Sequence, residues 1–329
     1  MKQVLPLVSI ALCTYNGAEY LAEQLDTLVN QTYKRLEIII VDDCSTDDTF
    51  SVLKYYASKY PQFKIYRNET NLGFTSNFER AASLCTGDLI ALCDQDDLWH
   101  PQKIELQVYA LKDNIIVYHD SEFIYKDGTR MNKKMSDLMN FYKGGHPETF
   151  LFFNCVSGHS ILMKRELLNE ALPMKEGYFH DWWLAYVATN IGKIDFIPKC
   201  LVQYRQHEQS ETNILQMSRK KDNYNLSSVQ KLRRTANWLS YCAAFKYNKN
   251  KALTERIYKA YKKRLNSYVS FELSFLLFRN LKTISFIRKK SVLSKLNYCF
   301  EQIWGLKTKE AVQLKQSAGF VRTIMHLFY

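Results

Sequence analysis

From Val8 to Leu111 the chain alternates short β-branched runs with amphipathic helical patterns, and few folds accept that alternation. Consecutive parallel strands need a crossover long enough to hold a helix, so the pattern reads as βαβ units sharing one mostly parallel sheet. Val8–Cys13 is the first strand, and Glu19–Asn30 reads as a helix with Leu21, Leu25 and Leu28 on one face. Strands follow at Glu37–Val41, Lys64–Tyr66 and Leu89–Cys93, and helices at Asp48–Tyr60, Asn77–Cys85 and Pro101–Leu111. The fold class expected is α/β, doubly wound.

The pattern changes after this point. Ile115–His119 and Glu122–Tyr125 read as two strands joined by a polar turn, followed by a hairpin-like Asp127-Gly128. Lys133–Glu148 is polar, carries Gly144-Gly145, and reads as a loop over a site. Cys155–Met163 is expected to be a strand, Arg165–Ala171 and His180–Thr189 helices, and Ile194–Arg205 a strand pair.

Charge divides the chain. Residues 1–209 hold 21 Lys and Arg against 27 Asp and Glu, while residues 210–329 hold 24 against 6. The expected organisation is therefore an α/β domain over 1–209, with a nucleotide-binding half to about 112 and an acceptor half after it, and a basic helical region over 210–329. A basic surface seeks polyanions. No nucleic-acid-binding signature appears. Phe271–Tyr298 combines Lys and Arg with Phe and Leu in the manner of an interfacial helix, so an anionic membrane surface is the favoured partner; a docking partner or a solvated bundle fits the same composition. The apolar run from Lys2 through Cys13 is too short for a signal segment and leads directly into a motif, and no stretch approaches a membrane span. A cytoplasmic protein, peripheral at the inner membrane face, is expected. Its eight cysteines show no metal-site or paired spacing and read as small buried hydrophobes.

In doubly wound sheets ligands bind beyond the carboxyl ends of the strands. Those positions hold Thr14-Tyr15-Asn16, Asp42-Asp43 and Asp94-Gln95-Asp96-Asp97. Three acids within four residues repel one another unless a cation neutralises them, and Mg²⁺ or Mn²⁺ bridging carboxylates to a diphosphate is the natural answer. An Asp-rich turn capping the next helix is the plainer alternative. Asp42 or Asp43 can accept hydrogen bonds from a nucleoside; Ser45 or Thr46 with Asp48 also looks like a helix cap. Tyr15 could lie along a base or ribose, although Asn16-Gly17 is ordinary turn chemistry.

In order and spacing, Val8 to Asn16, Val41 to Asp47, Asn71-x-Gly73, Thr86-Gly87-Asp88 and Asp94-Gln95-Asp96-Asp97-Leu98-Trp99-x-Pro101-x-Lys103 together resemble the inverting family 2 glycosyltransferases of GT-A fold. The resemblance runs from about residue 7 to 208. The Asp-Gln-Asp-Asp-Leu-Trp form and His180-Asp181-Trp182-Trp183 are most similar to the rhamnosyltransferase-like branch that builds bacterial surface polysaccharides such as O-antigen and capsule. It implies transfer from a nucleotide diphosphate sugar, dTDP-rhamnose ahead of a UDP-hexose, to a saccharide or lipid-linked saccharide. It places the donor against Cys13, Thr14, Tyr15, Asp42, Asp43, Asn71, Gly73, Asn77, Asp94 and Gln95. Asp94 and Asp96 would be metal ligands, with His207 completing the set and Arg205 adding charge at the diphosphate. Asp181 would be the catalytic base, with His180 where the family usually has Glu; a helix cap is the alternative for Asp181, and a structural or exposed role for His207. Gly158-His159 would shape the acceptor pocket or serve a tight strand crossing. A non-catalytic nucleotide-sugar-binding module is the rival class, and it would be favoured by loss of the acids, which are present. A nucleotidylyltransferase would want a Gly-rich, Lys- or Arg-bearing loop after the first strand, and Thr14-Tyr15-Asn16-Gly17 does not supply one.

Overall fold

The computed structural model describes residues 5–175, 177–207 and 228–307. The start of the first apolar run at Lys2, and the parts of the basic region at 208–227 and 308–329, lie outside the described residues. Described residues fall into two compact units, one drawn from 1–150 and 154–218, the other from 151–153 and 219–329.

In the first unit the βα alternation appears as expected: β1 (Val8–Thr14), α1 (Ala18–Val29), β2 (Leu36–Asp42), α2 (Thr49–Lys59), β3 (Phe63–Arg67), α3 (Phe74–Leu84) and β4 (Leu89–Cys93). β1 lies between β2 and β4, and β3 pairs with β2, all in parallel. Ile10, Ala11 and Leu12 are all fully buried, because helices cover both faces of a parallel sheet and successive side chains point to opposite faces.

At the far end of these strands from the ligand-bearing turns, Glu37 accepts hydrogen bonds from Ser9 Oγ (2.5 Å), Thr86 Oγ1 (2.9 Å) and the Gly87 N–H (3.1 Å), and pairs with Lys64 (3.0 Å). Burial opposes its charge, but those donors outweigh burial and hold the carboxyl at about 2. A Cβ at Gly87 would meet the Leu7 carbonyl at 2.6 Å. Thr86-Gly87-Asp88, part of the sequence motif, is thus a structural buckle that joins β4 to β1 and β2.

The rest of the unit is β5 (Leu98–Trp99), α4 (Lys103–Leu111), β6 (Ile116–Ile124), β7 (Arg130–Lys134), α5 (Met135–Leu138), β8 (Leu162–Lys164), α6 (Arg165–Ala171), α7 (His180–Ile191) and β9 (Ile194–Arg205). The sheet runs β3-β2-β1-β4-β8-β6-β9-β5, with β7 beside β6. β8 is antiparallel to β4 and β6, whereas β9 is parallel to β6.

Several expectations are corrected here. Residues 116–124 form one strand, because Asp120 stays in the ladder with its carboxylate accepting from the Ser121 and Ser136 N–H groups (2.9 and 3.1 Å). β9 is also a single strand; Pro198, which has no N–H to give, sits in an irregularity where the β6 register jumps from Ile197 to Cys200. Between 155 and 163 only Leu162 and Met163 are in a strand, and Gly158–Ser160 form a 3₁₀ turn instead. The segment 133–148 contains the end of β7 and α5, and Gly144 bridges to Ile194; none of it lines the cleft described below. Asp127-Gly128 does make the turn between β6 and β7, with Gly128 at φ 83°.

The second unit is helical: α8 (Ser228–Ala244), α9 (Lys251–Leu265), α10 (Phe271–Arg279), α11 (Leu281–Ile284) and α12 (Val292–Glu301). Trp238, Leu239, Cys242, Ile257, Tyr261, Leu273 and Leu277 are among its buried side chains, and Trp238 Nε1 donates to the Leu151 carbonyl at 3.0 Å. Among the described residues no helix is long and apolar enough to cross a membrane. All eight cysteines are free thiols.

Candidate active site

A cleft of about 840 Å³ opens at the carboxyl ends of β1, β2 and β4. Cys13, Thr14, Tyr15, Asp43, Asn71, Gly73, Asn77, Asp94, Gln95, Asp96, Asp181 and His207 line it, so twelve of the thirteen site residues expected from sequence converge. The thirteenth, Asp42, does not.

Asp42 is fully buried behind the rim. Its carboxylate accepts from Ser45 Oγ (2.5 Å), the Ser45 N–H (3.1 Å) and Thr14 Oγ1 (3.1 Å), and pairs with Arg67 Nε at 3.2 Å. The expectation that Asp42 meets the nucleoside is therefore corrected: it is fully buried and does not line the cleft. Asp43, the next residue of an extended chain, faces the other way and reaches the cleft wall. Its oxygens accept from the Leu72 and Gly73 N–H groups at 2.8 and 2.9 Å and from Asn68 Nδ2 at 2.5 Å. Gly73 holds φ 80° at the start of α3, a conformation that favours glycine. Asn77 braces the same corner by donating to the Val41 carbonyl (3.0 Å).

Gln95 ties the two sides of the rim together. Its Oε1 accepts from the Tyr15 N–H at 2.8 Å and its Nε2 donates to the Tyr15 carbonyl at 3.0 Å. A Cβ on Gly17 would collide with this amide, so the approach requires glycine there. Tyr15 itself is half exposed.

The acids after β4 take two directions. Asp96 Oδ2 lies 2.7 Å from His207 Nε2, whose ring packs on Tyr20 at 4.9 Å. Asp97 is fully buried; its Oδ1 accepts from the Arg205 N–H at 3.1 Å, while Oδ2 has no hydrogen-bond partner and lies 3.7 Å from His159 Nδ1. Burial, reinforced by the Asp96 and Asp94 charges, pushes the Asp97 carboxyl well above the usual range. Burial also brings His159 down to about 3, so it is neutral, with Nε2 in a 2.8 Å contact with Ser121 Oγ. Asp94, Asp97 and His159 place one ligand atom each within 4.8 Å of one another. Two carboxylate oxygens with an imidazole nitrogen fit a divalent cation in chemistry, and this close group contains Asp97 and His159 in place of the Asp96 and His207 expected from sequence.

Arg205 does not reach the cleft, contrary to expectation. Its guanidinium is consumed by the Asp96 carbonyl (2.8 Å), the Lys126 carbonyl (2.7 Å) and Glu23 (2.7 Å), which makes it a prop under the acidic turn.

From α7, Asp181 joins the cleft lining in the first turn of the helix. Burial pushes its carboxyl up to about 7, against the N–H groups of Trp182 and Gly158, and its Oδ1 has no hydrogen-bond partner. His180 packs on Phe78 at 4.3 Å and is held near 4 by burial. A Cβ on Gly158 would meet His180 Nε2 at 2.9 Å. Phe74, Phe78 and Phe179 complete this wall. Sequence reasoning missed the three phenylalanines and His180 as lining residues; the available signal was their position beside Gly73 and Asp181. Asp97 and His159 as a contact pair were also missed, since nothing in their spacing of 62 residues pairs them.

A carboxylate-bearing cleft at the strand ends of a mixed α/β sheet, with a further acid on its lining from a later helix, is compatible with a GT-A glycosyltransferase, and the relatives supply the family. The family model described as glycosyl transferase family 2 matches residues 9–172. An uncharacterized glycosyltransferase of Haemophilus influenzae is 29% identical over 326 residues, covering 88% of this chain and 98% of that protein. One of Rickettsia prowazekii is 30% identical over 230 residues, covering 65% of this chain and 69% of that one. Among solved structures, Staphylococcus aureus TarS 1–349 in complex with UDP-GlcNAc superposes with a TM-score of 0.55 at 17% identity, over 84% of this chain and 81% of that one. The chain belongs to glycosyltransferase family 2.

Proposed function

We propose that the protein transfers a sugar, with inversion, from a nucleotide diphosphate sugar to a saccharide or lipid-linked saccharide of a bacterial surface polysaccharide. One observation carries this reading: a single cleft is lined by Asp94, by Asp96 with His207 2.7 Å from it, and by Asp181, an acid with a buried oxygen that lacks a hydrogen-bond partner. Inversion is one displacement, so a base must take the acceptor proton on the face opposite the leaving group. Asp181 is that base. A carboxyl near 7 is suited to accept a proton at neutral pH.

Asp43, with Asn71, Gly73 and Asn77 around it, takes the nucleoside, and the backbone of Cys13, Thr14 and Tyr15 lies along the base and ribose. Gln95 contributes by holding that backbone. Asp94, with Asp96 and His207 or with Asp97 and His159 beside it, would hold Mg²⁺ or Mn²⁺, which when bound stabilises negative charge on the departing diphosphate. The work of binding falls to residues before about 112 and that of acceptor activation to 113–209, with 210–329 as a separate basic region. The donor proposed is dTDP-rhamnose ahead of a UDP-hexose, from the motif likeness to rhamnosyltransferases. The UDP-GlcNAc held by the TarS structure supports a nucleotide-sugar donor and includes a UDP-hexose in the choice. The acceptor places the enzyme at the inner face of the cell membrane.

The experiment is a panel of nucleotide sugars, dTDP-rhamnose and UDP-hexoses included, scored for Mn²⁺-dependent hydrolysis and for protection against thermal unfolding. Protection by none of them, with or without metal, rejects the reading.

A further inference from the structure

The second unit carries an apolar surface that the cleft does not use. On α10, Leu273, Leu276 and Leu277 turn inward, while Phe271, Phe275 and Phe278 share the opposite face at i, i+4 and i+7 and are 68, 56 and 54% exposed. The stripe continues past the start of the helix. Val269 bridges to Trp304, the Gly305 N–H donates to the Tyr268 carbonyl at 2.7 Å, and the Ser270 N–H donates to that of Ile303 at 2.8 Å, which sets half-exposed Trp304 beside exposed Tyr268 and Val269. Cations edge it: the Arg279 guanidinium lies 5.7 Å from the Phe275 ring and Lys307 Nζ lies 5.8 Å from that of Tyr268. Between residues 268 and 307 there are seven Lys and Arg against two Glu.

We propose that the Phe271–Phe275–Phe278 stripe with Trp304 is the surface by which this unit seats on an anionic lipid bilayer, the rings entering the headgroup boundary and the flanking cations meeting lipid phosphates. The charge argues for this occupant. Protein-binding patches are depleted of Lys, whereas interfacial helices combine bulky apolar rings with Lys and Arg, and Trp belongs at the headgroup level. The inference sharpens the membrane placement within the reading above and is independent of donor chemistry.

The test uses the full chain and two kinds of vesicle, phosphatidylcholine alone and phosphatidylcholine mixed with phosphatidylglycerol, in flotation at low and high salt. The wild type should float with the anionic vesicles, and salt should weaken this. Replacing all three rings (Phe271→Ser, Phe275→Ser, Phe278→Ser) should reduce binding roughly 100-fold, and Arg279→Glu with Lys307→Glu roughly tenfold or more. As a second readout independent of the triple variant, Trp304 emission should move to the blue on adding anionic vesicles, and Trp304→Phe should remove that shift. Thermal unfolding and nucleotide-sugar protection, measured on the same preparations, keep the two readings apart: lost flotation with protection retained supports the stripe alone. The proposal is overturned if the wild type ignores anionic vesicles, if the triple variant floats as well as the wild type, or if the triple substitution splits a dimer in sedimentation velocity while lipid binding stays unchanged.

Discussion

Asp96 and Asp97 are neighbours in sequence, and each is paired with a histidine, yet they inhabit different regions of the molecule. Asp96 meets His207 at 2.7 Å on the cleft lining; Asp97 is fully buried and faces, at 3.7 Å, His159, which itself reaches the lining. The same division recurs after β2, where Asp43 lines the cleft and Asp42 is locked to Ser45, Thr14 and Arg67 behind it. Each pair of adjacent acids puts one carboxylate on the cleft lining and one behind it. At the end of β2 the extended backbone alternates its side chains, so one of two successive residues goes into the wall.

The contrast between front and rear can be broken by substitution. The largest effect belongs to the acid on α7: Asp181→Asn should lower kcat about 10³-fold or more while donor binding, read by protection against unfolding, stays as in wild type. Retained turnover would remove Asp181 from the base role. Asp96→Ala should lower kcat/KM about 10²- to 10³-fold and abolish metal-dependent nucleotide binding. If it binds metal and nucleotide normally, the front pair has no special standing. His207→Gln should raise the metal concentration needed for half activity about 10- to 100-fold, with little change at saturating metal. If the ion sits on Asp96 and His207, Asp97→Asn should change activity only a fewfold, about threefold at most, because burial favours the protonated carboxyl and the amide oxygen can still accept the Arg205 N–H. A loss from Asp97→Asn as large as that from Asp96→Ala would place both acids at the ion and erase the distinction.

Titration offers a further cut. The Asp181 carboxyl, ordinarily at 3.8, stands at about 7 in the folded chain. Across that window the folded state keeps a proton that the unfolded state has released, so stability falls as pH rises from about 4 to 7 and levels off above it. Wild type minus Asp181→Asn isolates this contribution, because the other buried groups cancel in the difference. The thermal midpoint difference should move against wild type by several degrees between pH 5 and 8, while kcat/KM rises through about pH 7. A flat difference would mean that Asp181 has ordinary access to water.

Sequence pattern revealed the parallel half of the sheet nearly to the residue, since buried parallel strands are continuous apolar runs and their helices are amphipathic. It also picked out the strand-end residues that line the cleft, because strand-end position follows from topology. The second half was harder to read for identifiable reasons. Asp120 and Ser121 resemble a turn but sit in the middle of β6, and Pro198 resembles a break but occupies a ladder irregularity in β9. Hydrophobic periodicity cannot show that a polar residue's partners are supplied from another segment, as Ser136 supplies Asp120. Nor does charge reveal direction, so Arg205, which looked like a phosphate ligand, is a prop beneath the acids.

The Gln95 amide, bonded in both directions to the backbone of Tyr15, makes one side chain behave as an extra rung of a ladder. The first strand's exit and the acidic turn are thereby welded into a single rim. A nucleoside settling against that exit would find the acid positions already set, sparing the cost of arranging them afterwards, and an amide proton at Tyr15 should outlast those of the surrounding loop when the protein is moved into heavy water.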